Sequence, residues 1–117
     1  TFALLENLRK MNLKLAVGSS SKNARFILEQ VGLLHLFDAV SDGNNISKSK
    51  PDPEVFLKAA EYLCLFPNEC LVVEDAASGI EAAKAGGFCS AGIGGANSAD
   101  ADYRLEKLSE ILTVVNQ

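Results

Sequence analysis

No stretch of this 117-residue sequence approaches the ~18 consecutive apolar residues of a membrane span. Its basic residues are scattered, with no run beyond the pair Arg9–Lys10 and no aromatic stripe beside them, and the formal net charge is −4. A field of that sign repels nucleic acid and anionic membrane alike, so neither is expected as a partner. Cysteines are few: Cys64, Cys70 and Cys89, an odd number with no Cys-x-x-Cys pair. Each sits among apolar neighbours, which excludes a disulfide framework and predicts small buried hydrophobes in a reducing cytoplasm. The single histidine, His35, lies between Leu34 and Leu36 with no partner in view and reads as a helix-end or surface residue, not a base. Repeats and low-complexity segments are absent. No signal peptide is recognisable, so a cytoplasmic location is expected. The chain opens at Thr1 inside a helical pattern without an initiator methionine, which implies sequence upstream.

What is present is alternation. Phe2, Leu5 and Leu8 mark a helix ending near Lys10–Asn12, and "LKLAV" (13–17) a strand bounded by Gly18. Residues 22–31 predict a second helix with Phe26, Ile27, Leu28 and Val31 inward and Gly32 at its end. A short strand follows around 38–41, then the polar loop "GNNISKSKP". Asp52–Leu63 predicts a third helix: Pro53 suits its first turn, and Val55, Phe56, Ala59, Ala60 and Leu63 form the stripe. "CLVV" (70–73) is the continuous apolar run of a strand covered on both faces. A helix over Ser78–Ala85 ends at Gly86–Gly87, "FCSAGI" (88–93) is the last clear strand, and Tyr103–Val115 carries a closing helix, with room for a few extended residues before it. The glycine-rich "GIGGAN" (92–97) follows a strand without opening a strand–helix unit, so it is not a dinucleotide fingerprint. Strands alternating with helices through short links predict one α/β domain: a Rossmann-like parallel sheet with flanking helices.

In such a sheet, ligands gather outside the carboxyl ends of the strands. Three polar clusters fall there. Ser19, Ser20, Ser21, Lys22 and Asn23 follow the first strand and enter a helix, where unpaired N–H groups, hydroxyls and an ammonium suit a phosphate. An ordinary N-cap serine would account for one of the five. Lys50, placed by Pro51, offers a charge to neutralise a phosphoryl group, although a loop lysine is usually just solvated. Glu74 and Asp75 close the third strand as adjacent carboxylates that would repel a phosphate unless a divalent cation mediates, and Mg²⁺ suits them. Their simpler role is to complement the dipole of the next helix.

Taken in order, "GSSSKN", "SKPDPEVF" and "VVEDAASGIEAAKAGG" resemble the haloacid dehalogenase superfamily of phosphotransferases, over residues 13 to 95. Ser followed two residues on by Ser-Lys-Asn is most similar to the beta-phosphoglucomutase branch. The resemblance implies that Ser19 and Lys50 bind the transferred phosphoryl group with help from the Ser20 backbone. By the same resemblance Ser21, Lys22 and Asn23 hold the second phosphate of a sugar bisphosphate, and Glu74 and Asp75 serve Mg²⁺.

The family's nucleophile strand, ending in Asp-x-Asp, is not found in the sequence, nor is the helical cap domain. Asp100–Asp102 follows no apolar strand and is no substitute. The missing strand belongs between 13–17 and 70–73, so two bare strand edges should face each other, closed by rearrangement, by a second copy or by an upstream segment. The expected function is therefore part of a Mg²⁺-dependent phosphotransferase acting on sugar phosphates through an aspartyl-phosphate, with this chain alone inactive. The alternatives are a small-phosphoester phosphatase of the same superfamily and a non-catalytic phosphate- and Mg²⁺-binding fragment. A response-regulator-like or flavodoxin-like fold shares the alternation but not the clusters.

Overall fold

The structure is a computed structural model, and it describes residues 2–94 and 100–115. The chain runs α1 (Phe2–Lys10), β1 (Ala16–Gly18), α2 (Ala24–Gln30), β2 (Ala39–Ser41), α3 (Glu54–Tyr62), β3 (Leu71–Glu74), α4 (Ala77–Ala85), β4 (Cys89–Ile93), β5 (Tyr103–Leu105) and α5 (Ile111–Val115). Short 3₁₀ turns cover Leu34–Leu36, Pro67–Glu69 and Leu108–Glu110. All strand pairings are parallel, confirming a Rossmann-like α/β architecture with flanking helices. Residues 95–99 of the glycine-rich stretch lie outside the described residues.

The strands do not form one sheet. Among the described residues β1 pairs only with β2, and β3, β4 and β5 make a separate three-stranded sheet. Between the free edges of β1 and β3 runs a groove of about 670 Å³, lined by Leu15–Gly18 on one side and Leu71–Glu74 on the other. The expected gap is therefore present and open. The option that the chain rearranges to close it is overturned: each sheet keeps the register of its own βα units and leaves the space between them.

Two cores cover the two faces. Val55, Phe56 and Ala60 of α3 meet Val72, Ala82, Ala83 and Phe88 on one face. Leu8, Ala91, Leu105 and Ile111 form the other, with Leu71 and Val73 against them. β3 thus sends Val72 one way and Leu71 and Val73 the other, the period-two alternation of a strand buried on both sides.

The helices α1 to α4 stop in the same way. Asn12, Gly32, Cys64 and Gly87 each take positive φ, from 59° to 83°. The next amide reaches back a full turn: Leu13 N–H to Leu8 O, Leu33 to Leu28, Leu65 to Ala60 and Phe88 to Ala83. These are Schellman ends, which turn the chain back toward the sheet. Cys64 is exposed because it occupies such a corner, and Cys89 is exposed at the first residue of β4. Only Cys70 is partly covered, and burial pushes its thiol above the ordinary value. The expectation of three buried cysteines is corrected accordingly.

Of the inward face expected for α2, only Leu28 is half-buried, and the rest is corrected. Phe26, Ile27 and Val31 are 62%, 52% and 60% exposed, and only Ala24 of the helix is buried. α2 packs against the 3₁₀ turn at Leu34–Leu36. His35, within that turn, is exposed as expected. The region expected to be a closing helix begins as β5, three residues paired with β4. Asp102 anchors it by accepting the Ser90 N–H at 2.9 Å, while Asp100 pairs with Lys84 at 3.3 Å. No helix among the described residues is long and apolar enough to cross a membrane.

Candidate functional site

β1 and β3 end side by side across the groove, and the loop carrying Lys50 passes over the same end. Lys50 Nζ lies 2.9 Å from Glu74 Oε2 and 3.4 Å from the Gly18 carbonyl oxygen. It also sits 4.9 Å above the centre of the Phe56 ring. The Lys50 and Glu74 side chains are 19% and 11% exposed, so their charges meet largely out of water. There the attraction is stronger than at the surface, but each ion has lost hydration in exchange. β3 stops at Glu74, and Asp75 turns out of the strand into solvent, donating its own N–H to Glu74 Oε1 at 3.2 Å.

The serine loop has a different organisation from the one expected. α2 begins at Ala24 and is only seven residues long, and Asn23 at its N-cap makes no side-chain cap bond. Ser19 Oγ accepts the Ser21 N–H at 3.1 Å and Ser21 Oγ accepts the Asn23 N–H at 3.1 Å. Two serine turns therefore hold the loop, and their hydroxyl hydrogens remain available to an acceptor. Ser19 donates its N–H to Ser41 O at 2.9 Å, fixing the loop to the end of β2. Ser20, Ser21, Lys22 and Asn23 are exposed.

Thus Ser19, Lys50, Glu74 and Asp75, three distant stretches of sequence, come to one rim. Lys22 instead lines a neighbouring open hollow with Arg25, Phe26 and Asn44. Among the described residues no group of three acidic, histidine or cysteine side chains is placed to hold a metal. Glu74 and Asp75 supply two hard oxygen donors, which fits Mg²⁺ that keeps several waters and a phosphate, not an all-protein cage.

Three contributors were not found from the sequence. Phe56 reads as a core residue, yet its ring also carries Lys50. The 42–45 turn, read only as polar, braces the serine loop: Gly43 N–H donates to Ser21 O at 3.0 Å and Asn44 Nδ2 to Lys22 O at 3.0 Å. Gly79, in the first turns of α4, is buried directly against the Glu74 side chain. The only sequence signal for the second was the turn-forming "DGNN"; the other two emerge from packing alone.

Comparison with known proteins agrees with this geometry. Residues 1–93 match the model of the haloacid dehalogenase-like hydrolase family. Over 91 residues the chain is 41% identical to the beta-phosphoglucomutase of Bacillus subtilis, covering 78% of this chain and 40% of that protein. It is 40% identical over 76 residues to a fructose-1-phosphate phosphatase of Escherichia coli, covering 65% of this chain and 40% of that protein. The crystal structure of a beta-phosphoglucomutase from Clostridium difficile superposes with a TM-score of 0.87 at 32% identity, covering 97% of this chain and 54% of that one. The chain therefore spans about half the length, or less, of the relatives it matches. Matched along most of its own length, it belongs to the haloacid dehalogenase-like hydrolase family.

Proposed function

We propose that this rim is the phosphoryl- and Mg²⁺-binding part of a phosphotransferase acting on sugar phosphates, of the beta-phosphoglucomutase kind. The observation that carries the reading is the meeting of Lys50 with Glu74 at 2.9 Å beside the Gly18–Ser19 turn. Ser19 and Lys50 would grip the reacting phosphoryl group. The Ser19 hydroxyl hydrogen donates to one oxygen and the ammonium neutralises the charge that spreads over the others. Ser20 would add its backbone N–H. Ser21, Lys22 and Asn23 would hold a second phosphate at the adjoining exposed loop, keeping a bisphosphorylated sugar in place while it reorients. Glu74 and Asp75 would hold Mg²⁺, which when bound offsets phosphate charge and orients its oxygens. The nucleophilic carboxylate would come from an apolar strand ending in Asp-x-Asp and seated in the groove between β1 and β3. Without it the 117-residue chain binds but does not turn over.

A phosphatase of the same family is the second reading, favoured by the similarity to a fructose-1-phosphate phosphatase. The two part at Lys22, since only a mutase must retain a second phosphate. In a longer form of the protein that carries the strand, Lys22→Ala should lower mutase turnover at least tenfold more than phosphatase turnover. Equal losses would favour the phosphatase.

A further inference from the structure

We propose that Lys50 and Glu74 act as an internal counter-ion pair that couples cation binding to phosphate binding, and that Gly79 is the positioning residue that permits it. The proposal rests on reading the rim as a phosphate and Mg²⁺ site.

In the structure neither partner has charge to spare. Glu74 Oε2 takes Lys50 at 2.9 Å and Oε1 takes the Asp75 N–H at 3.2 Å. The ammonium is already surrounded by a carboxylate, the Gly18 carbonyl and the Phe56 ring. Phosphate arriving alone meets a neutralised lysine beside two carboxylates. A cation arriving alone must pull Glu74 away from Lys50 and leave that ammonium with poor hydration. When both arrive, the cation takes the carboxylate, the phosphate takes the ammonium, and the pair is broken once for two ligands. Each ligand then tightens the other, a reciprocity that linkage requires.

Glu74 reaches Lys50 because position 79 has no side chain. A Cβ built on Gly79 would overlap Cγ, Cδ and Oε2 of Glu74. Any larger residue there would drive the carboxylate out of the space it occupies against Lys50. Gly79→Ala therefore separates the pair while leaving its charges in place, and Glu74→Gln removes one charge while keeping the volume.

The test is calorimetric titration of the chain with inorganic phosphate, in chelator and in excess Mg²⁺. For wild type, Mg²⁺ should tighten phosphate about tenfold, within the usual range of coupling. In chelator, Glu74→Gln and Gly79→Ala should each bind phosphate several-fold more tightly than wild type, and respond less than twofold to Mg²⁺. Asp75→Asn removes an equal charge without touching Lys50 and should gain less. Urea midpoints report whether each variant is folded, and Glu74→Gln tests the pair if Gly79→Ala does not fold. Wild-type phosphate affinity indifferent to Mg²⁺ overturns the coupling alone. Weaker phosphate binding by a folded Gly79→Ala in chelator overturns the role of Gly79. Phosphate binding by none of the proteins overturns the reading of the rim itself, and the proposal with it.

Discussion

α2 and α3 are both short, both follow a loop at the rim, and both carry an aromatic within an apolar cluster, yet they end in opposite environments. In α3, Val55 is fully buried and Phe56 is 7% exposed; in α2, Phe26 is 62% exposed. The difference lies in their neighbours. α3 packs against β1, β2 and α4 and reaches Val72 of β3, whereas α2 rests on a 3₁₀ turn. Amphipathic spacing states that a helix has an apolar side, and the partner decides whether that side is used.

The contrast is easiest to break at its aromatics. Phe56→Ala should cost about 3–5 kcal/mol, since it opens a cavity against Phe88. Phe26→Ala should stay within about 0.5 kcal/mol, as exposed substitutions do. Urea denaturation of the two variants decides the matter, and equal losses would mean that α2 is packed after all. Next come the helix ends. Gly32→Ala and Gly87→Ala both force a side chain into the left-handed region, where no neighbour comes closer than 4.0 Å. Each should cost about 1–2 kcal/mol, nearly the same for both, because this strain is local and indifferent to how well the helix is packed. A large disparity in melting shift would show the ends feeling their surroundings.

The smallest effect concerns the start of α3. Glu54 accepts the Ser47 backbone N–H, which holds its carboxyl below the ordinary 4.5. A folded value below the unfolded one stabilises the protein above the unfolded value, and that contribution fades as pH falls through the folded value. The stability gap between wild type and Glu54→Gln should thus be constant near neutrality and narrow as pH drops below 4.5. A gap that stays constant down to full protonation would detach α3 from this anchor.

Much of the fold was legible because each strand and helix through Ile93 carries its own pattern. The apolar run at 70–73, the stripe from Val55 to Leu63 and the glycines after α4 needed no tertiary context. β5 was not separated from the closing helix because three residues are too few for a period. The exposure of Phe26 depends on what lies beside α2, and that of Cys64 on a φ of 59°, neither of which local composition records. Lys50 and Glu74 were recognisable as charges at strand ends. That they would neutralise each other, over Phe56 and beside Gly79, required the folded chain.

The shared way in which α1 to α4 close carries an architectural consequence. Each left-handed corner returns the polypeptide to the same pole of the molecule before it climbs the next strand, so the corners act as fixed brackets. Segments 19–23, 42–52 and 75–76 lie at the opposite pole, with no part in that bracketing. Side chains at one pole are thereby open to selection while the scaffold beneath them stays unaltered.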